Sequence, residues 1–307
     1  MDDQEARLDD ASRSREPRYL GGQAVLDGVM MRGLQSWSVA VRAPDGSINV
    51  VVHDAPGWTD SVRHIPLVRG VVTLAESLTL GMKALTWSSD QAIPEDEKVG
   101  KGAMGVSLVV AFAFFIGVFV LLPLLGARFL ADALSGQRVV FHIIEAALSL
   151  SIFVGYLALI GRIPDIRRVF EYHGAEHKAI AAYENGAPLT PESADRFTTA
   201  HVRCGTNFLL TVMVIAILVH AVVGRPALPI LIGARIISIP IIAGLAYEII
   251  RFAASHQHWG WVRALTVPGL TLQKLTTRPP SPDQLEVAIA AVQAVLTDEQ
   301  RAEVDAR

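Results

Sequence analysis

The chain has 307 residues, 51% hydrophobic and 19% charged, with a mean hydropathy of +0.38. That balance excludes a disordered chain and a coiled coil. A formal net charge of −3 and a pI near 6.3 supply no basic field, so nucleic acid is not expected as a partner.

Residues 1–19 (MDDQEARLDDASRSREPRY) are polar, contain no secretory apolar stretch, and read as a disordered tail. Residues 20–100 read as a cytoplasmic segment holding a Gly-rich turn, a small β-hairpin unit and an amphipathic helix. The turn is Gly21–Gly33 (GGQAVLDGVMMRG). It lacks the Gly-Lys-Ser/Thr ending of a phosphate loop and the dinucleotide fingerprint. Gln23, Asp27 and Arg32 are its candidate binding residues; a turn leading into the hairpin accounts for its glycines equally well. Alternation over Ser38–Val52 around Ala43-Pro44-Asp45-Gly46 predicts the hairpin. Arg69, Glu76 and Lys83 then recur at seven-residue spacing within Ile65–Leu85, predicting one polar stripe on a helix that lies at the interface or packs on a bundle.

Residues 105–252 carry four apolar runs, which makes the fold mainly α and polytopic. Gly105–Gly126 has no charge and is long enough to cross a bilayer. Val139–Gly161 carries His142 and Glu145, which are expected to pair, and Thr206–Gly224 is the third run. The fourth is interrupted by Arg235, Pro240 and Glu248, leaving Ile236–Ile250 as its cleanest part. Of the Lys and Arg residues, all but Arg128, Arg138, Arg225 and Arg235 lie in residues 1–104, 162–205 or 251–307. This bias predicts a cell-membrane protein with both termini and the central loop, residues 162–205, in the cytoplasm. In the C-terminal segment, residues 253–307, Trp259 and Trp261 suit an interface, and His256 and His258 beside them read as surface residues. Ser281-Pro282-Asp283-Gln284 has a capping-box pattern that starts an amphipathic helix through Leu296.

The central loop holds the strongest chemical signal. His173 and His177 stand four residues apart with Glu176 beside them, so a helix puts both imidazoles on one face. In His-x-x-Glu-His the histidines can hold zinc or another divalent metal while the carboxylate acts as general base. A buried stripe of Ile166, Phe170, His173, His177 and Ile180 with hydrogen-bonded histidines fits the same spacing. His201 and Cys204 close the loop. The single cysteine cannot form an internal disulfide, and with His173, His177 and His201 it makes a possible tetrahedral set. Four ligands would make the site structural. Three plus water would make it catalytic, the third coming from His201, Cys204 or Glu248, although Glu248 can equally pair with Arg251. No Gly-x-Ser-x-Gly elbow is present.

The blocks GGQAVLDGVMMRG, EYHGAEHKAIAAYE (Glu171–Glu184), HVRCGTNF (His201–Phe208), AYEIIRFA (Ala246–Ala253), PGLTLQKLTT (Pro268–Thr277) and QLEVAIAA (Gln284–Ala291) resemble the YqhQ-like family of bacterial membrane proteins. That family is of unknown function and is labelled as predicted metal-dependent enzymes. Asp27 stands where its first block has Glu, and Val202 where it has Pro. The resemblance implies a metal-dependent membrane enzyme, without a substrate.

Three functions compete. A cytoplasm-facing zinc hydrolase at the bilayer surface would act on a lipid-linked or membrane-protein substrate. A structural zinc protein would serve as an assembly or regulatory factor. A transporter or channel would use Glu145, Arg235 and Glu248, and homo-oligomerisation would help it form a pore.

Overall fold

The computed structural model describes residues 20–93, 101–134, 137–224 and 226–305; the tail expected to be disordered lies outside them. Its first elements are four antiparallel strands in sequential order, β1 (Gly21–Val25), β2 (Gly28–Arg32), β3 (Ser36–Arg42) and β4 (Ile48–Asp54). The expected hairpin is present as β3 and β4. The stretch read as a Gly-rich turn is a second hairpin, closed by the two residues Leu26 and Asp27. Asp27 sits at φ 49°, a left-handed conformation that Asp tolerates better than most residues.

Period-two alternation gives the sheet two buried faces. Val29, Met31 and Ala40 face one core, and Val25, Met30, Trp37, Val39 and Val41 face another. Leu80 and Ala84 of α1 (Val68–Ala92) cover the second face. Glu76, expected on a polar stripe, points inward from α1 to pair with Arg32 and accepts a 2.9 Å bond from the Thr59 amide.

Four helices are long and apolar enough to span a membrane: Gly105–Leu134, Arg138–Ile160, Gly205–Val223 and Leu228–Ser255. The first comprises α2 (Lys101–Phe115), a π-helical segment (Ile116–Leu121) and α3 (Leu122–Leu134), and so outruns the expected Gly105–Gly126. The others are α4 (Arg138–Ile160), α6 (Gly205–Val223) and α7 (Leu228–Ser255). The charges that interrupt the fourth run do not break it. Arg235 is neutralised by Glu145 of α4, Glu248 by Arg69 of α1, and α7 continues through Pro240.

Between the second and third spans lies α5 (Pro164–Glu184), started by proline in its first turn. After the fourth come α8 (Gly260–Thr276), α9 (Pro282–Val295) and α10 (Asp298–Asp305). The capping box at Ser281 and Gln284 forms as expected. Tyr172, Ala179 and Ile180 of α5 and Leu285, Ala288 and Val292 of α9 share the first sheet core. Segments before, between and after the candidate spans therefore pack as one unit.

Candidate metal centre

His173, Glu176 and His177 lie at and just past the middle of α5, and Tyr172, Ala175, Ala179 and Ile180 beside them fix the helix to the sheet core. Gly174 lets another segment cross at this point, because a Cβ there would overlap the Arg278 carbonyl. The crossing is pinned by the Arg278 amide, which donates to Phe170 O at 2.9 Å. It brings the end of α8 against the histidines.

His173 Nδ1 lies 2.8 Å from Thr276 O, and His177 Nδ1 lies 2.5 Å from Thr199 O. A carbonyl oxygen only accepts, so each Nδ1 carries the proton and each Nε2 presents a lone pair. This is the outer-shell arrangement that orients imidazole ligands. His173 Nε2 is 3.2 Å from Cys204 Sγ, and the ligating atoms of His173, His177 and Cys204 all lie within 4.8 Å of one another. Cys204 caps α6, where its sulfur accepts from the Thr206 amide at 3.4 Å. Two imidazoles and one cysteine sulfur form a donor set that could hold a divalent metal ion.

Glu176 Oε2 lies 3.9 Å from His173 Nε2 and 3.7 Å from His177 Nε2. Burial pushes its carboxyl above the ordinary range, against the opposing pull of His173 and His201. On the other side Glu176 meets Gly22 of β1, where a Cβ would stand 2.5 Å from Oε1.

His201 lies outside the three-residue cluster. Its ring centroid is 5.4 Å from that of His177, and its Nε2 lies 3.9 Å from Glu184 Oε2. The buried Gln273 of α8 holds its backbone from both sides, accepting from the amide at 2.9 Å and donating to the carbonyl at 2.8 Å. Lys178 fastens the same loop through Asp195 Oδ1 at 2.8 Å and Asp195 O at 2.6 Å.

The remaining candidates have partners elsewhere in the fold. Gln23 packs on Gly81 of α1, Asp27 pairs with Arg168, and Arg32 pairs with Glu76. Glu248 is held by Arg69 and the Leu67 amide rather than standing near the cluster. Sequence reasoning missed Gly22, Thr199, Gln273 and Thr276. Gly22, Gln273 and Thr276 do occur within the blocks that carry the family resemblance, which was their available signal.

Residues 65–298 match the family described as "Protein of unknown function (DUF1385)". The chain belongs to this family. It is 33% identical to "Uncharacterized protein YqhQ" of Bacillus subtilis (strain 168), over 93% of this chain and 94% of that protein. No solved structure matches it. The DUF1385 match includes α1, all four candidate spans and every member of the His-His-Cys cluster.

Proposed function

We propose that this membrane protein is a metal-dependent hydrolase with its site at the cytoplasmic face of the cell membrane. His173, His177 and Cys204 would hold zinc or another divalent ion. The observation that carries this reading is the convergence of two Nε2 atoms and one Sγ while both Nδ1 atoms are anchored on backbone carbonyls. A simple core pair of histidines has no need of the third, soft donor.

A bound ion at this position supplies Lewis acidity. Glu176 then takes a proton from the attacking water and returns it to the leaving group, a role supported by its distance to both imidazoles. His201 and Glu184 lie beside the site and position the loop. The excess of Lys and Arg in the extramembrane segments supports the cytoplasmic orientation.

Cobalt(II) substitution tests the open-site reading. Three protein ligands predict a thiolate charge-transfer band that is lost in Cys204→Ser, and d–d bands that change when acetohydroxamate is added. Bands indifferent to acetohydroxamate would instead support a closed site completed by His201, the structural alternative.

A further inference from the structure

We infer that the substrate is an extended polypeptide that joins the sheet as a fifth strand along β1. This inference rests on the hydrolase reading above and names its substrate class.

Among the described residues, the sheet order makes β1 an edge strand, paired with β2 alone. Its hairpin closes at the pair Val25 and Gly28, so the antiparallel alternation directs Gly21, Gln23 and Val25 toward β2. Gly22 and Ala24 consequently turn their amides and carbonyls outward. Among the described residues, neither makes a backbone hydrogen bond beyond the β1–β2 ladder. Both faces of the sheet are covered, one by α5 and α9 and the other by α1, so only an edge can receive a ligand backbone. Gly21 and Gly22 are exposed at that edge.

Proteins usually guard strand edges with charge or proline. β1 reads Gly-Gly-Gln-Ala-Val and has neither, and Gln23 turns inward onto Gly81. β1 also lies under Glu176: the Cβ direction of Gly22, which points out of the sheet plane, meets the carboxylate, and Glu176 reaches both metal-facing imidazole nitrogens within 3.9 Å. A strand added about 4.8 Å from β1 would run its peptide groups past the carboxylate. The missing side chain at Gly22 makes the room that the Glu176 carboxylate occupies over this strand. Hydrolysis would add water across a peptide bond, forming a C–O bond and breaking C–N. The water proton would pass through Glu176 to the departing amine nitrogen.

The test uses the full chain in nanodiscs, with mixed-sequence quenched fluorescent decapeptides as probe and the same decapeptides N-methylated at alternate residues as control. The peptide should slow hydrogen exchange at the Gly22 and Ala24 amides about tenfold in Glu176→Gln, and wild type should cleave it. N-methylation should abolish both effects. Ala24→Pro removes an outward amide at an edge that tolerates proline, and should lower cleavage about tenfold with metal content unchanged. Exchange protection does not require the ion, so it separates this inference from the metal reading. A metal-loaded protein that hydrolyses phosphatidylglycerol or phosphatidylethanolamine vesicles while saturating peptide leaves Gly22 and Ala24 unprotected would overturn the polypeptide inference and leave the hydrolase reading standing. A protein without stoichiometric metal would overturn the hydrolase reading beneath it.

Discussion

Gly22 of β1 and Glu176 of α5 are in direct contact, and a Cβ on Gly22 would stand 2.5 Å from Glu176 Oε1. Gly21, the next residue along the strand, has nothing within 4 Å of its Cβ position. Gly22→Ala should therefore displace the carboxylate and cost about 1–3 kcal/mol by overpacking, with metal retained. Gly21→Ala should cost little. Thermal unfolding and metal content of the two variants check this; equal behaviour would show that Glu176 is not confined by β1.

Glu248 and Arg69 join the fourth candidate span to α1. Glu248→Gln should leave metal content at the wild-type level and loosen the docking of α1, measured as faster hydrogen exchange over Val68–Ala92. Loss of metal in this variant would restore Glu248 as a ligand candidate.

Within the spans, Arg235 and Glu145 form a buried ion pair. Removing one partner strands the other charge, so Arg235→Leu should destabilise by about 3–5 kcal/mol. The double variant Glu145→Leu, Arg235→Leu should recover most of that loss. Thermal melts in detergent decide the matter, and a double variant as unstable as the single one would show that the pair does more than neutralise itself.

The Tyr172 side chain is fully buried, and among the described residues its hydroxyl has no hydrogen-bond partner. Burial, together with nearby Asp27, pushes its pKa up to about 12 against the lowering effects of Arg168 and Arg42. Between about pH 10 and pH 12 the unfolded chain loses this proton while the folded chain keeps it. The resulting stability is present below pH 10 and declines as pH rises through that window. Tyr172→Phe should abolish this decline above pH 10 and, at pH 7, be neutral or stabilising by up to about 1 kcal/mol, measured by pH-dependent unfolding.

Much of this fold is legible in the sequence because its strongest signals are local. Long apolar runs mark the spans, four-residue spacing aligns His173 with His177, and Ser281 with Gln284 marks the start of α9. β1 is harder to read because two glycines weaken both alternation and strand propensity. α8 contains Pro268, a helix-breaking signal that the observed helix overrides. The site is only half legible for a different reason. The carbonyls of Thr199 and Thr276 that orient the histidines are backbone groups with no side-chain signature. Pairing of Glu248 with Arg69 is likewise a contact between distant parts of the chain, and the nearer Arg251 draws the sequence reading to the wrong partner.

The central claim is that His173, His177 and Cys204 bind one metal ion. Elemental analysis of the full chain, purified in detergent without chelators, tests it most directly. The account predicts about one zinc or other divalent ion per chain in wild type, Glu176→Gln and His201→Ala, with loss of that ion in His173→Ala, His177→Ala and Cys204→Ser. Wild-type protein without stoichiometric metal, or triad variants that retain it, would contradict the account and return the histidines to core packing.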